Sequence, residues 1–284
     1  MIGTQFPGYE VVPRGAAAGL VIVHGIAEHS ARYRHVSASL ADRNIASFVY
    51  DQRGHGEYPG TRAHVADFND FAADLQMIGE NVQARFPGLP LFVWGHSMGS
   101  IVVTLAAICG ANWARGFITT GCALDAMPKL TGIAGGALRV SAALAPRLRI
   151  SLGIDATALT QVLEEQEHHM RDPLVPRTAS LRLLYGFAHA CRTSRENAGK
   201  ITAPWLAVHG GADKVCPVSG SQALVAALGS GDKQIVIYPG LLHEVHNEDM
   251  GARTVLFDLM SRWMLERSQL LGTGSLEYTV RGVL

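Results

Sequence analysis

The sequence LFVWGHSMGS at residues 91–100 decides the fold of this chain. A short apolar run, typical of a buried strand, leads directly into a GxSxG motif, and an apolar run typical of a helix follows at 101–109. A strand-to-helix turn this tight is crowded, so it needs glycine on both sides of the serine, here Gly95 and Gly99. The strain of such a turn projects the serine hydroxyl above the edge of the sheet. Ser97 is therefore predicted to be a nucleophile.

Short runs of β-branched and aromatic residues recur along the chain and alternate with longer helical patterns. One helical pattern spans 68–82, where apolar residues recur at steps of three and four, with Asp67 as a cap and Pro87 as a stop. This alternation predicts an α/β fold with a mostly parallel sheet flanked by helices and a reaction site at the carboxyl ends of the strands. The predicted strands are 20–24, 46–50, 91–94, 116–120, 205–209 and 234–238.

One stretch interrupts the alternation. No strand is predicted in 125–197, which holds an apolar segment rich in small residues and then an acidic segment with histidines. We interpret 125–197 as a mostly helical lid inserted into a single core domain, which is made of 1–124 and 198–284. A last helix is predicted at 251–268, followed by a loosely packed tail at 272–284.

Composition and charge exclude several classes of protein. The 284 residues are 48% hydrophobic and 17% charged, with 24 basic and 24 acidic side chains. A disordered chain would be less apolar, and a nucleic-acid-binding protein would carry excess positive charge, so we expect neither disorder nor a nucleic-acid partner. The four cysteines form no CxxC pair, which predicts free thiols in a reducing compartment. Because the N-terminus shows no signal-peptide pattern, a cytoplasmic location is expected.

A serine hydroxyl needs a base to activate it, and the base needs a carboxylate to orient it. Asp213 lies in the loop after the predicted strand 205–209, and His243 lies in the loop after 234–238. The chain order Ser97, Asp213, His243 and the position of each residue after a strand predict a Ser-His-Asp catalytic triad.

Other histidines offer alternatives. His246 also follows the last predicted strand and could be the base, but the shorter loop favours His243. The HEVH sequence at 243–246 does not fit the HExxH zinc signature, because its histidines are three residues apart and lie in a loop, so no metal is expected. His168 and His169 lie in a polar helical run and are expected at the solvated surface.

Acyl transfer also requires two amides that stabilise the oxyanion. The amide of Met98 follows the predicted nucleophile at the start of a predicted helix, where backbone N–H groups have no partner within the helix. The segment GIAEHSARY follows the predicted strand 20–24, and Gly25 lets its backbone turn closely. The amide of Ile26 is therefore the predicted second donor.

Five motifs occur along the chain in the order HGIAEHSARY (24–33), DQRGHG (51–56), GHSMG (95–99), HGGADKV (209–215) and HEVHNE (243–248). Together they resemble the monoacylglycerol lipase and lysophospholipase branch of the α/β-hydrolases. The resemblance implies an α/β-hydrolase fold with an inserted helical lid. It also implies that Ser97, Asp213 and His243 form the triad, with the amides of Ile26 and Met98 as the oxyanion hole.

The chain departs from this family pattern at two positions. Ser100 stands where glycine is usual, and Tyr58 stands where serine is usual. Neither touches the predicted triad, but Tyr58 could reshape a loop near the site and is a candidate substrate-pocket residue. Arg53 and His55, in the same loop, are interpreted as structural.

The resemblance implies a serine hydrolase that cleaves carboxylic esters of lipid type, monoacylglycerol or lysophospholipid, through an acyl-enzyme and without a cofactor. A thioesterase, a lactonase or a small-ester carboxylesterase on the same scaffold are alternatives. A non-catalytic ligand-binding protein of this fold is a further alternative, although the complete set of predicted triad residues argues against it.

The predicted lid includes residues 131–154, which combine aliphatic side chains with arginines. This composition suits a helix that shields an apolar pocket and contacts a membrane surface transiently, so we expect a cytoplasmic protein that can lie at the membrane periphery. Leu138 in this segment is a second candidate pocket residue. The alternative for this apolar face is packing against the core alone.

Overall fold

The structure, a computed structural model, describes residues 6–127 and 132–269. Its strands are β1 (Gly8–Val11), β2 (Ala18–Val23), β3 (Ile45–Tyr50), β4 (Leu91–His96), β5 (Ala114–Thr120), β6 (Arg149–Ser151), β7 (Thr178–Ser180), β8 (Trp205–Gly210) and β9 (Lys233–Tyr238). Seven of them form a central sheet in the order β1-β3-β2-β4-β5-β8-β9, in which only the β1–β3 pair is antiparallel. The predicted fold class is confirmed, and each predicted strand is present.

The sequence analysis missed β1, whose Gly8 and Glu10 weaken the pattern of a strand. Gly8 has a φ of +150°, and a Cβ there would lie 2.2 Å from Val49 O, so glycine is needed for β1 to pair with β3.

Helices cover both faces of the sheet. The predicted helix at 68–82 is observed as α2, which begins at Asn69 and ends before Pro87, and Asp67 Oδ1 accepts from the backbone N–H of Asn69 at 3.0 Å. The helices are α1 (Arg34–Ala41), α2 (Asn69–Arg85), α3 (Met98–Ile108), α4 (Gly132–Leu144), α5 (Leu163–Arg171), α6 (Leu181–Asn197), α7 (Val218–Ala227) and α8 (Met250–Gln269). Among the described residues, no helix combines the length and the apolar character that crossing a bilayer requires.

Apolar residues fill both sides of the sheet. Along β2, Val21 and Val23 belong to a core cluster shared with α2, α3 and α6, while Leu20 and Ile22 belong to a second cluster shared with α1 and α8. Strands buried on both faces are continuously apolar rather than alternating, which is why they were recognisable in the sequence.

The register of the parallel strands brings the predicted site residues to one edge of the sheet. Val23 at the end of β2 pairs with Gly95 near the end of β4, and His209 of β8 pairs with Ile237 of β9. The residues that follow these carboxyl ends are Ile26, Ser97, Asp213 and His243.

The chain between β5 and β8 holds α4, α5, α6 and an antiparallel ribbon of β6 and β7. No strand was predicted there, because three residues are too few for an alternating pattern to show. The Ser180 N–H donates to Ala63 O at 3.0 Å, and the Glu244 N–H donates to Leu159 O at 2.7 Å, so this region is tied to two loops of the core. The predicted tail at 272–284 lies outside the described residues.

Candidate active site

Ser97 sits on a strained turn between β4 and α3, with φ +52° and ψ −121°. Such a conformation costs about 1–3 kcal/mol for a residue with a side chain, so the surroundings must enforce it. A Cβ at Gly95 would lie 2.4 Å from Gly99 O, and a Cβ at Gly99 would lie 2.2 Å from Val23 O. The two glycines of the motif are therefore required by close backbone contacts, as the sequence analysis expected.

The predicted orienting carboxylate, Asp213, and the predicted base, His243, lie together. Nδ1 of His243 is 2.7 Å from Oδ2 of Asp213, and both side chains are buried. His243, Ser97 and Ile26 line one small cavity of about 30 Å³. Met98 is buried and begins α3, so its amide belongs to the first turn of the helix that follows Ser97.

The Asp213 carboxylate is held by several donors. Its Oδ1 accepts from the backbone N–H groups of Val215 and Cys216, each at 2.8 Å, and its Oδ2 lies 3.0 Å from Nε2 of His209. Burial alone would raise the pKa of Asp213, but the hydrogen bonds from His209 and His243 outweigh it and hold the pKa well below its usual value. An ionised Asp213 fixes the proton of His243 on Nδ1, which leaves Nε2 as the basic nitrogen. Sequence reasoning missed His209.

Two further buried histidines pack beside His243. The ring of His96 lies 4.7 Å from the rings of both His243 and His246, and its Nδ1 is 2.9 Å from Thr120 Oγ1. Burial, helped by the nearby His243, lowers the pKa of His96 to about 3, so it is neutral at physiological pH. His246 stacks on Tyr33 with ring centroids 5.1 Å apart. The hydrogen bond of Asp213 goes to His243 and not to His246.

A buried ionic network connects the loop after β2 with the loop after β9. Nη2 of Arg32 lies 2.7 Å from Oε2 of Glu244, which directly follows His243, and Nε of Arg32 lies 3.4 Å from Oε1 of Glu28. Oε2 of Glu28 accepts from the Gly25 N–H at 2.6 Å, immediately before Ile26. One guanidinium thus links the turn that carries the predicted oxyanion donor to the loop that carries the predicted base.

The two carboxylates of this network differ in their electrostatics. Burial raises the pKa of Glu28, and the neighbouring Glu244 raises it further. Burial also opposes ionisation of Glu244, but the attraction of Arg32 prevails and lowers its pKa. Both residues lie within motifs quoted above, yet nothing in the sequence pattern assigned them a role.

Three side chains of the described chain could ligate a metal, because Glu28, His96 and His246 offer ligand atoms within 4.8 Å of one another. The Arg32 guanidinium already lies 3.4 Å from Glu28, and its charge disfavours a second cation at this position.

Neither candidate pocket residue is among those that line the small cavity at Ser97. Tyr58 is half-buried and packs on Phe6, with ring centroids 5.7 Å apart. Leu138 is half-buried on α4. The described residues that line the cavity are Ile26, Glu28, His96, Ser97, Ile154, Leu159, His169, Val215, His243 and Glu244.

The expected exposure of His169 is wrong. His169 is only 2% exposed and lines the cavity, whereas the neighbouring His168 is exposed as expected. The inward face of α5 carries Gln166 and His169, which are polar, so hydropathy gave no sign that this face is buried.

Arg53 and His55, interpreted as structural, both make hydrogen bonds close to the loop after β3. Arg53 pairs with Asp74 of α2 through two hydrogen bonds, of 2.5 and 2.7 Å, and Nδ1 of His55 lies 3.0 Å from Arg53 O. Ser100 donates from Oγ to Ser97 O at 2.6 Å and accepts from the Ala123 N–H at 3.2 Å. Its hydroxyl therefore bonds to the backbone around the Ser97 turn.

The sheet order, the strained serine turn and the position of Asp213 and His243 after β8 and β9 define an α/β-hydrolase. The family model described as serine aminopeptidase, S33, matches residues 15–250, and the chain belongs to this family.

Curated relatives match nearly the whole chain. The monoglyceride lipase of Homo sapiens is 32% identical over 268 residues, which are 93% of this chain and 88% of that protein. The monoacylglycerol lipase of Mycolicibacterium smegmatis is 31% identical over 257 residues, 89% of each.

Solved structures agree on the fold. The monoacylglycerol lipase of Paleococcus ferrophilus superposes with a TM-score of 0.80 at 25% identity, covering 93% of this chain and 100% of that one. A soluble variant of Saccharomyces cerevisiae monoglyceride lipase, in complex with a substrate analog, gives a TM-score of 0.78 at 23% identity, with 94% and 97% covered. The expected class of enzyme, a carboxylic ester hydrolase, is confirmed.

The buried histidines predict an acid-sensitive fold. Burial lowers the pKa of His96 to about 3 and of His55 to about 4, and it lowers those of His24 and His246 well below the ordinary value. Below about pH 6.5 the unfolded chain binds protons that the folded chain does not. The free energy of unfolding should therefore fall as the pH drops from about 6.5 towards 4, by up to about 1.4 kcal/mol per pH unit for each histidine.

Urea unfolding at pH values from 7.5 to 4.5 measures this dependence. His55→Gln should reduce the slope by about one proton, while His168→Gln, at an exposed position, should leave it unchanged. A free energy of unfolding that stayed constant from pH 6.5 to 4.5 would show that these histidines are not held neutral.

Proposed function

We propose that this enzyme hydrolyses monoacylglycerols or closely related lipid esters, lysophospholipids among them, through Ser97, His243 and Asp213 and an acyl-enzyme intermediate. The observation that carries the proposal is the 2.7 Å hydrogen bond between His243 Nδ1 and Asp213 Oδ2, beside a cavity that His243 and Ser97 share. An imidazole oriented by a carboxylate, next to a serine on a strained turn, is the arrangement that nucleophilic catalysis by serine requires.

The reaction follows from these positions. Ser97 Oγ attacks the ester carbonyl while Nε2 of His243 takes its proton, and Asp213 stabilises the resulting imidazolium. The amides of Ile26 and Met98 stabilise the oxyanion, and each such donor lowers the barrier by about 3 kcal/mol. His243 then protonates the leaving alcohol, and a water molecule repeats the sequence on the acyl-enzyme.

Two observations support a lipid ester as the substrate. The cavity at Ser97 is lined in part by the apolar side chains of Ile26, Ile154, Leu159 and Val215, which suit an acyl chain. The human and mycobacterial relatives are named for the hydrolysis of monoglycerides and monoacylglycerols.

The inserted residues 125–197 act as the lid in this proposal, and the core consists of 1–124 and 198–284. The cavity of about 30 Å³ is far below the roughly 300–1,000 Å³ of ordinary ligand pockets, so the lid must move to admit an acyl chain. Exposed apolar side chains on and after α4 would let the lid rest on a lipid surface, with the protein at the membrane periphery. They are Val140, Leu144, Leu148 and Ile150.

Substitutions in the triad test the mechanism. Ser97→Ala and His243→Ala should each lower kcat by at least about 10⁴-fold, because members of a triad act as a unit. His246→Ala removes the same kind of side chain three residues further on and should retain kcat within about tenfold, with lower stability because a buried ring is lost. Steady-state hydrolysis by purified variants measures this. If His246→Ala were inactive and His243→Ala active, the base would be misassigned.

Acyl length tests the substrate class. Each buried methylene contributes about 0.8 kcal/mol, so kcat/KM should rise from acetyl to roughly eight- or ten-carbon esters. Leu138→Asp should lower kcat/KM for long acyl chains more than for short ones, while Ala137→Asp places the same charge at an exposed position of α4 and should have little effect. A preference for acetyl esters, or an equal effect of Leu138→Asp on all lengths, would instead favour a small-ester or lactone hydrolase.

A further inference from the structure

Glu248 is a buried acidic residue in the loop after β9, and the proposed mechanism gives it no role. It is only 1% exposed and is not among the residues that line the cavity at Ser97. Its Oε1 accepts from the backbone N–H of Leu242 at 2.8 Å, and its Oε2 accepts from the backbone N–H of Gln161 at 3.0 Å. One side chain therefore joins the residue directly before His243 to the region between β5 and β8.

The loop that carries His243 leaves the central sheet at its edge. β9 is the last strand in the order of this sheet and pairs with β8. The end of β8 contacts the loop closely, because the Ala212 N–H donates to Leu241 O at 2.9 Å and a Cβ at Gly210 would lie 2.0 Å from Leu242 O. No further strand follows at this edge, so additional support for the loop has to come from outside the sheet.

Three consecutive residues of the region between β5 and β8, 159–161, supply such support. Leu159 O accepts from the N–H of Glu244 at 2.7 Å, and Thr160 Oγ1 donates to Asn247 O at 2.7 Å. Leu159 and Thr160 are both buried, so water competes little for these hydrogen bonds. The segment 159–161 is therefore attached to the part of the loop that follows the proposed base.

Glu248 completes this attachment on the other side of the base. It accepts from Leu242, directly before His243, and from Gln161, whose Nε2 also donates to Gly240 O at 2.9 Å. Both side-chain oxygens of Glu248 thus accept from backbone N–H groups, and an amide side chain has only one acceptor oxygen to offer them. A buried N–H left without a partner is costly, so these contacts require an acidic residue here.

We propose that Glu248 is a positioning residue for the proposed base. By joining the Leu242 N–H to the segment 159–161, it holds the loop around His243 in the conformation from which Nε2 serves Ser97. The inference rests on the proposed function, since it concerns the residue that takes the serine proton there. Glu248 touches neither the substrate nor the reacting atoms in this account, and the segment 159–161 supports catalysis as well as covering the site.

The first measurement is steady-state hydrolysis of monodecanoylglycerol by purified Glu248→Gln. The amide accepts from one of the two backbone N–H groups and turns its own NH₂ towards the other, so the loop should shift. Because a displacement of about 1 Å at a catalytic group costs about a hundredfold, kcat should fall by about tenfold or more while KM stays within about threefold. Glu164→Gln makes the same change at an exposed position and should leave both constants unchanged.

A double-mutant cycle shows whether Glu248 acts through His243. The residual rate of His243→Ala, measured with 4-nitrophenyl decanoate, comes from binding and oxyanion stabilisation. Adding Glu248→Gln to His243→Ala should change this residual rate by less than about twofold, because the base whose position it sets is already absent. The same substitution in the wild-type background should lower the rate on this ester by about tenfold or more.

Thr160→Val tests the other end of the attachment. It removes the hydroxyl that donates to Asn247 O and lies 3.3 Å from Glu248 Oε2, at nearly constant volume. Its kcat should fall by a smaller factor than that of Glu248→Gln, with KM again nearly unchanged. This variant carries the test if urea unfolding shows that Glu248→Gln does not fold.

Three results would overturn the inference and leave the triad standing. They are an unchanged kcat in folded Glu248→Gln, a rise in KM at constant kcat, and an equal loss of rate with and without His243, which is the result expected of a purely structural residue. Full activity of His243→Ala, or failure of the wild type on every decanoyl ester, would refute the proposed function instead.

Discussion

The backbone at Ser97 is the constraint on which the rest of the site depends. Its φ of +52° is enforced because β4 and α3 pack so closely that Gly99 nearly touches Val23 of the neighbouring strand. The sheet and the α3 helix, both buried in the core, hold this strain. The same close packing places the end of β2, and therefore Ile26, beside the serine. The backbone conformation at Ser97 thus determines where the proposed nucleophile lies relative to the two proposed oxyanion donors.

Buried charge organises the loops around that turn. Asp213 stays ionised because backbone amides and two histidines donate to it, and Arg32 bridges the carboxylates of Glu28 and Glu244. Such groups are costly to bury and even more costly to leave unpaired, so the loops that carry them hold one another in place. Polar contacts therefore position the loops at the carboxyl ends of the strands, while the apolar core clusters position the strands themselves.

How much of this structure the sequence could predict depends on whether each feature is set by a local sequence pattern or by contacts between distant residues. The buried strands and the serine turn are local patterns, so the fold class and the glycine requirement were predictable from residues 91–100 outward. The sequence placed Asp213 and His243 in loops after predicted strands. In the structure, their side chains lie within hydrogen-bond distance of each other. Their catalytic roles remain predictions.

What the sequence could not predict depends on tertiary contacts. β6 and β7 are too short to produce a pattern. The pattern of β1 is weakened by Gly8, and a glycine is needed there because Val49 O lies against it. His169 looked like a solvated residue because its helix is polar, yet its side chain is buried and lines the cavity at Ser97. The Arg32 network joins residues more than 200 positions apart, a separation at which a single sequence carries no sign of contact.

The most direct test of the central claim is covalent labelling of the wild-type enzyme with a fluorophosphonate, followed by mass spectrometry of the intact protein and its peptides. A serine activated by His243 and Asp213 should take up one equivalent of the probe, on Ser97, at neutral pH. An adduct on a different residue, or no adduct on a folded protein, would contradict the account.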